Sequence, residues 1–594
     1  MNRFIRTFIS LYLGWTTLCS APTLCAAQTQ YQLGPDSLAQ AGVPQGVTFQ
    51  FDLVGKKYYP GAKSTVWVYV PAQYTPDKPA CLCVGLDGPG FRVQTVFDNL
   101  IYKKQMPVTI GVFFSSGTVN KSGTNRPLRF DRCYQFDSTN GNFARFLVDE
   151  ALPAVEAHKT GDGRAIHISA DPNDRMIYGA SSGAVCAFTA AWQRPDLFRR
   201  VFSAIGTYVG MRGADMYPTL VRKTEPKPIR IFLQDGAQDT WNPLFDNWYT
   251  QNLSMEESFR FAGYDVNHSW GTLGHEGSHA ESLFPDAVKW LWRDYPQPIT
   301  GGSSGNSMLG TVLAGGQTWQ LVNTGGRPPA TLCADKDGAL TFADASSKGV
   351  YSIGEDGVSH LYARTPSVLT AAAFGSDGRL YGAGEDGRIL AFAVKGKPAV
   401  IAAGMHVHGL YASSDGSLYA TEPGAHDDMP GTVWRIKPGG AKQAIDTGLR
   451  HATGLLLTPD HNLLFVAEGH THWIYSYVLA QDGALQNKQR FYWLHTAESA
   501  EEAGDYADAT DLAEDRQGNL YVATRMGVQV CDRNGRVEGI LTLPQGQVSS
   551  LCFGGKKFDT LYIVCGQHLY KRRMNVPGVP CWAPPVELPD FGGG

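Results

Sequence analysis

The chain has 594 residues, which is too long for a single hydrophobic core and predicts more than one domain. Its composition is that of an ordinary globular protein, with 43% hydrophobic residues and a formal net charge of −4. Because no basic stretch and no block of like charge occurs, the sequence argues against nucleic acid as a partner.

The first segment has the pattern of a secretory signal peptide. Two cations precede an apolar run at residues 8–19, and small residues follow up to Ala27. We therefore expect cleavage after Ala27, with residues 1–27 as the signal peptide and a secreted or periplasmic protein. The apolar run is short and interrupted by threonines, which argues against a membrane anchor, and nothing later is long and apolar enough to span a bilayer.

Residues 28–296 alternate between short apolar runs and helical stretches such as 141–158 and 285–294. This alternation predicts an α/β domain with a mostly parallel sheet. The predicted strands are 64–70, 80–86, 108–113, 176–178, 201–204 and 229–233.

The segment Gly179–Gly183 is the most informative of this domain, because it fits the pattern G-x-S-x-G between a strand and a helix. That context is typical of a nucleophile elbow. The two glycines allow a sharp bend, and the helix N-terminus favours negative charge beside the serine. Ser181 is the predicted nucleophile.

A serine nucleophile needs a histidine base and an acid that orients it, and in α/β-hydrolases the acid and then the histidine follow the serine. Two carboxylates follow the strand at 229–233: Asp239, farther into the loop, is the preferred acid, and Asp235 is the alternative. Two histidines come later, and His275, just after a glycine, is preferred over His279.

An oxyanion hole requires two backbone N–H groups that point at the developing charge. One is predicted from Ser182, directly after the nucleophile, and the other from Gly88, in the loop after an early strand. An ordinary turn between strand and helix is the alternative interpretation of that loop.

The chain changes character at residues 297–308, where prolines, glycines and serines predict an exposed linker. From 309 to 580, a tight turn leading into a strand recurs six times, about forty to sixty residues apart. Repeats of this length built from short strands predict propeller blades, and six turns predict six blades. The turns contain Gly338, Gly378, Gly416, His461, Gly518 and Asp559.

Seven stretches of the first half carry a family resemblance: 59–61, 68–71, 87–88, 179–183, 232–236, 261–265 and 285–292. They resemble the esterase family that includes enterochelin esterases and the feruloyl and acetyl-xylan esterases of carbohydrate esterase family one. The resemblance covers about 35–295 and implies Ser181, Asp239 and His275 as the triad. It implies ester hydrolysis without a cofactor, on acetylated or feruloylated polysaccharide or, alternatively, on siderophore esters.

Three stretches of the second half, 527–537, 553–555 and 560–562, resemble the SMP-30, gluconolactonase and regucalcin-like six-bladed propellers. Members of that family hold a divalent cation on the propeller axis with a Glu, an Asn and an Asp, and open lactones with it. The resemblance therefore implies a place for Ca²⁺ or Zn²⁺ in this half.

This chain departs from that ligand set. No Glu lies around Ala330, Thr453 stands where Asn is usual, and only Asp508 keeps its place, with Asp511 as the alternative alignment. Two hypotheses follow for the propeller: a module that binds carbohydrate or shapes the esterase cleft, or a metal-dependent sugar lactonase. A different metal site built from loop histidines is a further alternative, although no pair of them has a diagnostic metal spacing. They are His406, His408, His451, His470 and His472.

The sequence thus predicts an α/β plus all-β protein. Its parts are a signal peptide at 1–27, an α/β-hydrolase domain at 28–296, a linker at 297–308, a six-bladed β-propeller at 309–580 and a tail at 581–594. The expected function is that of a secreted serine esterase acting on esterified carbohydrate or a small ester.

Overall fold

A computed structural model describes residues 31–590, except 122, 125, 355–356, 394–396, 427–428, 497, 499–505 and 545. The predicted signal peptide and the last four residues of the predicted tail lie outside the described residues. Within the described part of the chain, no helix combines the length and the apolar character needed to cross a bilayer.

The first half is built on a ten-stranded mixed sheet with the order β12-β9-β8-β7-β3-β4-β2-β5-β6, and β1 pairs with β2. Pairing is parallel from β12 to β4 and antiparallel beyond. A separate two-stranded ribbon joins β10 to β11. The strands are β1 Val47–Val54, β2 Lys63–Val70, β3 Cys81–Leu86, β4 Thr109–Phe114, β5 Thr118–Asn120, β6 Pro127–Phe130, β7 Arg175–Ala180, β8 Arg200–Ala204, β9 Arg230–Gly236, β10 Trp241–Asn242, β11 Asp246–Asn247 and β12 Asp265–Gly271.

Helices cover both faces of this sheet. Neighbouring residues of a strand point to opposite faces, and the apolar residues on each face pack against a different set of helices. Cys83 and Tyr178 belong to a cluster with α1 and α8, whereas Val84 and Ile177 belong to a cluster with α5 and α7. This confirms the predicted α/β fold. The helices are α1 Val93–Tyr102, α2 Arg132–Phe136, α3 Asn142–Phe146, α4 Leu152–Glu156, α5 Ser182–Gln193, α6 Tyr217–Lys223, α7 Trp248–Phe261, α8 Ser278–Leu291 and α9 Ser307–Val312, with a π-helical turn at Leu147–Ala151.

The second half forms six antiparallel four-stranded blades, as predicted, and each predicted turn joins the first two strands of a blade. The sixth blade takes β13 as its outer strand, so the first strand of the propeller closes the ring. The strands are β13 Gln320–Val322, β14 Pro329–Ala334, β15 Leu340–Asp344, β16 Gly349–Ile353, β17 Ser359–Arg364, β18 Leu369–Phe374, β19 Leu380–Gly384, β20 Arg388–Phe392, β21 Ala399–Ala403, β22 Gly409–Ala412, β23 Leu418–Glu422, β24 Pro430–Ile436, β25 Lys442–Arg450, β26 Ala452–Leu457, β27 Leu463–Glu468, β28 Trp473–Leu479, β29 Leu485–Trp493, β30 Leu512–Glu514, β31 Leu520–Thr524, β32 Gly527–Cys531, β33 Val537–Leu541, β34 Val548–Gly554, β35 Thr560–Cys565 and β36 His568–Arg573.

The two halves are joined by direct contacts as well as by the linker. Thr224, just after α6, forms a parallel bridge with Ile540 on the outer strand of the fifth blade. The Glu225 carboxylate accepts two hydrogen bonds of 2.8 Å from Arg572. Ion pairs held in this two-point geometry are stronger and more specific than single contacts.

The predicted linker lies against the hydrolase domain along part of its length. The N–H of Gly305 donates to the carbonyl of Phe261 at 2.8 Å. A Cβ at Gly302 would lie 2.0 Å from the carbonyl oxygen of Gly263, so this close approach requires glycine. The linker composition therefore reflects tight packing as well as exposure.

Candidate active site

Ser181 lies on a strained turn between β7 and α5. Its φ of 57° and ψ of −124° are unusual for a residue with a side chain, and such strain is typical of functional positions. A Cβ at Gly179 would lie 2.2 Å from backbone atoms of Gly183, so only glycine fits there. The local sequence thus folds into the strand, turn and helix expected of a nucleophile elbow.

The structure brings the three predicted triad residues into one chain of hydrogen bonds. His275 Nε2 lies 2.8 Å from Ser181 Oγ, and His275 Nδ1 lies 2.8 and 3.0 Å from the two carboxylate oxygens of Asp239. The Asp239 side chain is fully buried, whereas that of His275 is 29% exposed. A carboxylate on Nδ1 places the proton there and leaves Nε2 free to accept the serine proton.

Asp235 is a neighbour of this chain and not its acid. Its carboxylate accepts from the Gly236 N–H at 2.7 Å and from Asn252 Nδ2 at 2.8 Å, and it is hydrogen-bonded to Asp239. Burial and that contact raise the pKa of Asp235 to about 9. Burial acts in the same direction on Asp239, but hydrogen bonds from His275 and Asp235 outweigh it and hold its pKa below the usual value. The pair therefore shares one negative charge, on Asp239.

His279, the alternative base, is buried away from Ser181. Its ring stacks on Tyr31 with centroids 4.1 Å apart, Nδ1 lies 3.1 Å from Gln234 Nε2, and Nε2 lies 3.3 Å from Ser269 Oγ. Burial lowers the pKa of His279, so the ring is neutral and serves packing.

The two predicted oxyanion donors differ in geometry. Ser182 is the first residue of α5, where an N–H has no partner within the helix. The N–H of Gly88, in contrast, donates to the carbonyl of Phe114 at 3.0 Å. Gly88 was therefore the wrong choice of donor, because its N–H is already bonded to the neighbouring strand of the sheet.

Arg132 links the loop after β3 to the start of α5. Its guanidinium donates from Nε and Nη2 to the Asp87 carboxylate at 3.0 and 2.8 Å, and from Nη1 to Ser182 Oγ at 2.9 Å. Hydrogen bonding to Asp87 raises the pKa of Arg132 further, so the cation is permanent. It holds the loop after β3 against the first turn of α5.

Thr207 and Trp248 complete the surroundings of Ser181 and were not predicted. Thr207 Oγ1 lies 3.1 Å from Ser181 Oγ and accepts from Trp248 Nε1 at 3.1 Å. The Trp248 ring also meets His275 edge-on, with centroids 5.9 Å apart. No motif signals these residues, because they come from separate elements that only the fold brings together.

On the propeller axis, the predicted metal ligand is already paired. The Asp508 carboxylate lies 3.2 Å from Arg525 Nε, and Thr453 Oγ1 donates to the carbonyl of Ala509 at 2.6 Å. Asp511, the alternative, is buried and accepts from Ser550 Oγ at 2.7 Å, and burial raises its pKa to about 6. A divalent cation needs several free anionic or carbonyl oxygens, so these residues do not fit one.

The loop histidines do not replace those ligands. His451 stacks face to face on His470 with ring centroids 4.0 Å apart. The ring centroids of His408 and His451 are 6.2 Å apart. Burial and the neighbouring His451 lower the pKa of His408 to about 4. Among the described residues, no three His, Cys, Asp or Glu side chains are placed to hold a metal ion.

The Esterase family model matches residues 58–294, and the family described as SMP-30/Gluconolactonase/LRE-like region matches residues 329–567. Each model covers less than half of the chain. The first half, which contains Ser181, is similar to the Esterase family, and the propeller, which contains the paired Asp508, is similar to the second family.

Two curated proteins are similar to a part of this chain. A gluconolactonase of Zymomonas mobilis is 25% identical over 183 residues, which is 28% of this chain and 50% of that protein. The pentonolactonase XacC of Haloferax volcanii is 27% identical over 140 residues, or 23% and 45% of the two chains. The chain thus spans about half the length of the curated relatives it matches.

Solved structures resemble each domain. An enterobactin esterase from Shigella flexneri is 17% identical with a TM-score of 0.32, covering 42% of this chain and 61% of that one. A gluconolactonase from Xanthomonas campestris is 20% identical with a TM-score of 0.40, covering 45% and 93%.

Proposed function

We propose that the protein is an exported serine hydrolase of carboxylic esters, and that Ser181, His275 and Asp239 are its catalytic triad. The observation that carries this proposal is the 2.8 Å contact on each side of the His275 ring, within a domain of the esterase family. Export stays a prediction that depends on residues 1–27.

In the proposed reaction, Ser181 Oγ attacks the ester carbonyl while His275 Nε2 takes its proton. Asp239 holds the Nδ1 proton and stabilises the cationic ring. The oxyanion that forms is stabilised by the Ser182 N–H at the start of α5, which Arg132 holds against the loop after β3. The protonated His275 then donates to the leaving alcohol, and a water molecule, activated by the same ring, releases the acid from Ser181.

The test is turnover of p-nitrophenyl acetate by the wild type and by Ser181→Ala. Removal of the nucleophile should lower kcat by a factor of about 10⁴ or more. Thr189→Ala is the matched control. It also deletes a hydroxyl on α5, but this hydroxyl bonds Tyr217 and not the proposed triad, so the variant should keep most of the activity. A Ser181→Ala variant that turns over at the wild-type rate would exclude this mechanism.

The proposed substrate class is an acyl group on polysaccharide, either acetyl or feruloyl, with siderophore esters as the alternative. The relay is partly open to solvent through the 29% exposed His275 side chain, which suits an ester carried on a large molecule. Parallel assays on acetylated xylan, feruloylated xylan and a catecholate trilactone would separate these classes by kcat/KM.

For the propeller we propose a binding role without metal chemistry. Its central cavity of about 290 Å³ is lined by the innermost strands and by Val579 and Cys581. The lactonase hypothesis requires a cation that the Asp508–Arg525 pair does not accommodate. Opening of glucono-1,5-lactone that is lost with EDTA and in Asp508→Asn would restore that hypothesis.

A further inference from the structure

One propeller residue reaches the edge of the esterase site. Glu498 lies on the connection between β29 and β30, and its Oε2 accepts from the N–H of Thr139 at 2.8 Å. Its Oε1 pairs with the Arg212 guanidinium. The Glu498 side chain is only 19% exposed, so both contacts are largely shielded from water. Charge-assisted hydrogen bonds in such surroundings are stronger than surface ion pairs.

Both partners of Glu498 lie close to helix α2. Thr139 follows the C-terminus of α2 by three residues, and the Arg212 guanidinium lies 5.3 Å from the centre of the Tyr134 ring on α2. Helix α2 has five residues, which is too short to be stable by itself, so its position depends on what holds it. Glu498 thus holds the chain three residues beyond α2 and reaches the middle of the helix through Arg212.

Helix α2 begins with Arg132, the residue that ties Asp87 to Ser182. A displacement of α2 therefore moves the guanidinium from the start of α5 and from the loop after β3. Errors of about 1 Å in the placement of catalytic groups lower rates by up to a hundredfold.

We propose that Glu498 is a positioning residue of the esterase site, so that the propeller completes that site by anchoring α2 and, through it, Arg132. The inference rests on the proposed function for its catalytic consequence, and on the contacts of Glu498 for its structural one. The two parts are tested separately.

The experiment compares Glu498→Ala with Glu225→Ala in the full-length protein. Glu225 is the matched control, since its carboxylate also crosses the domain junction, to Arg572 at 2.8 Å, but makes none of the α2 contacts. We expect Glu498→Ala to lower kcat for p-nitrophenyl acetate about tenfold with KM changed less than twofold. Glu225→Ala should lower Tm and leave kcat within twofold. Glu498→Gln, which preserves volume, serves if the alanine variant folds poorly.

A readout independent of turnover is amide hydrogen exchange. Residues 132–139 should exchange faster in Glu498→Ala than in the wild type and in Glu225→Ala, whatever the reaction is. Unchanged exchange overturns the anchoring. If exchange is faster in Glu498→Ala but the wild type shows no Ser181-dependent turnover, the proposed function is wrong and the anchoring remains in place.

A double variant tests the route through Arg132. If Glu498 acts by holding Arg132, the tenfold loss should disappear when Glu498→Ala is added to Arg132→Ala. A loss that remains tenfold in that background overturns the proposal, because Glu498 would then act by another path.

Discussion

The esterase relay and the propeller axis both presented a carboxylate at the position that the sequence indicated, yet the two carboxylates have different neighbours. Asp239 faces His275, a group that needs a negative charge beside it during a reaction. Asp508 faces Arg525, which neutralises its charge permanently. The spacing of acidic residues along the chain is therefore a weak guide to chemistry, and the charge of the nearest neighbour decides it.

The largest effects should separate the two histidines of the esterase loop. His275→Ala removes the base and should lower kcat/KM for p-nitrophenyl acetate by a factor of about 10⁴, since the serine then keeps its proton. His279→Ala removes a buried ring that stacks on Tyr31 and should lower Tm while keeping activity within about tenfold. The reverse ranking of the two variants would show that His279 is the base.

The two aspartates sharpen the comparison further. Asp239→Asn should lower kcat by a factor of about 10⁴, because an amide favours the wrong tautomer of His275. Asp235→Asn imitates the protonated form that Asp235 already has and should keep activity within about tenfold. Equal losses in the two variants would mean that Asp235 carries a charge the reaction needs.

Thermal stability should show the protonation of Asp235 directly. Burial and the contact with Asp239 raise its pKa from 3.8 to about 9, so between these values the folded state binds more protons than the unfolded one. The stabilisation is complete below about pH 4 and is lost as the pH rises toward 9. The fall in Tm from pH 6 to pH 9 should be smaller in Asp235→Asn than in the wild type, and parallel curves would contradict the assignment.

The smallest effect is expected at the propeller axis. Added Ca²⁺ or Zn²⁺ should change the Tm of the full-length protein by less than about 1 °C, because a site occupied by Arg525 gives the cation no differential affinity for the folded state. A clear rise in Tm that is lost in Asp508→Asn would show that Asp508 binds a cation. Metal chemistry in the propeller would then be possible again.

The sheet of the first half could be predicted because strands buried on both faces are continuous apolar runs. The strand predicted at 80–86 corresponds to Cys81–Leu86 in the structure, and the strand predicted at 201–204 corresponds to Arg200–Ala204. The helix predicted at 141–158 was correct in type but is interrupted by the π-helical turn Leu147–Ala151, just before Pro153, whose missing N–H requires an adjustment of the backbone.

Parts of the site were beyond the sequence for identifiable reasons. The choice of Gly88 failed because the sequence does not reveal that its N–H bonds to the carbonyl of Phe114, a residue of another strand. Thr207 carries no motif, and it reaches Ser181 only because distant segments are packed together. Asp235 and Asp239 could be separated only by knowing which of them meets His275.

The pairing of β13 with β36 has a consequence for synthesis. Gln320 stands opposite Lys571, so the ring stays open until some 250 residues have been made after its first strand. The esterase domain, whose sheet ends with β12, is complete long before that. A chain cut short ahead of β36 would leave β13 as an unpaired edge next to a folded hydrolase, and exposed edges of this kind promote aggregation. Closure of the propeller therefore depends on the synthesis of β36.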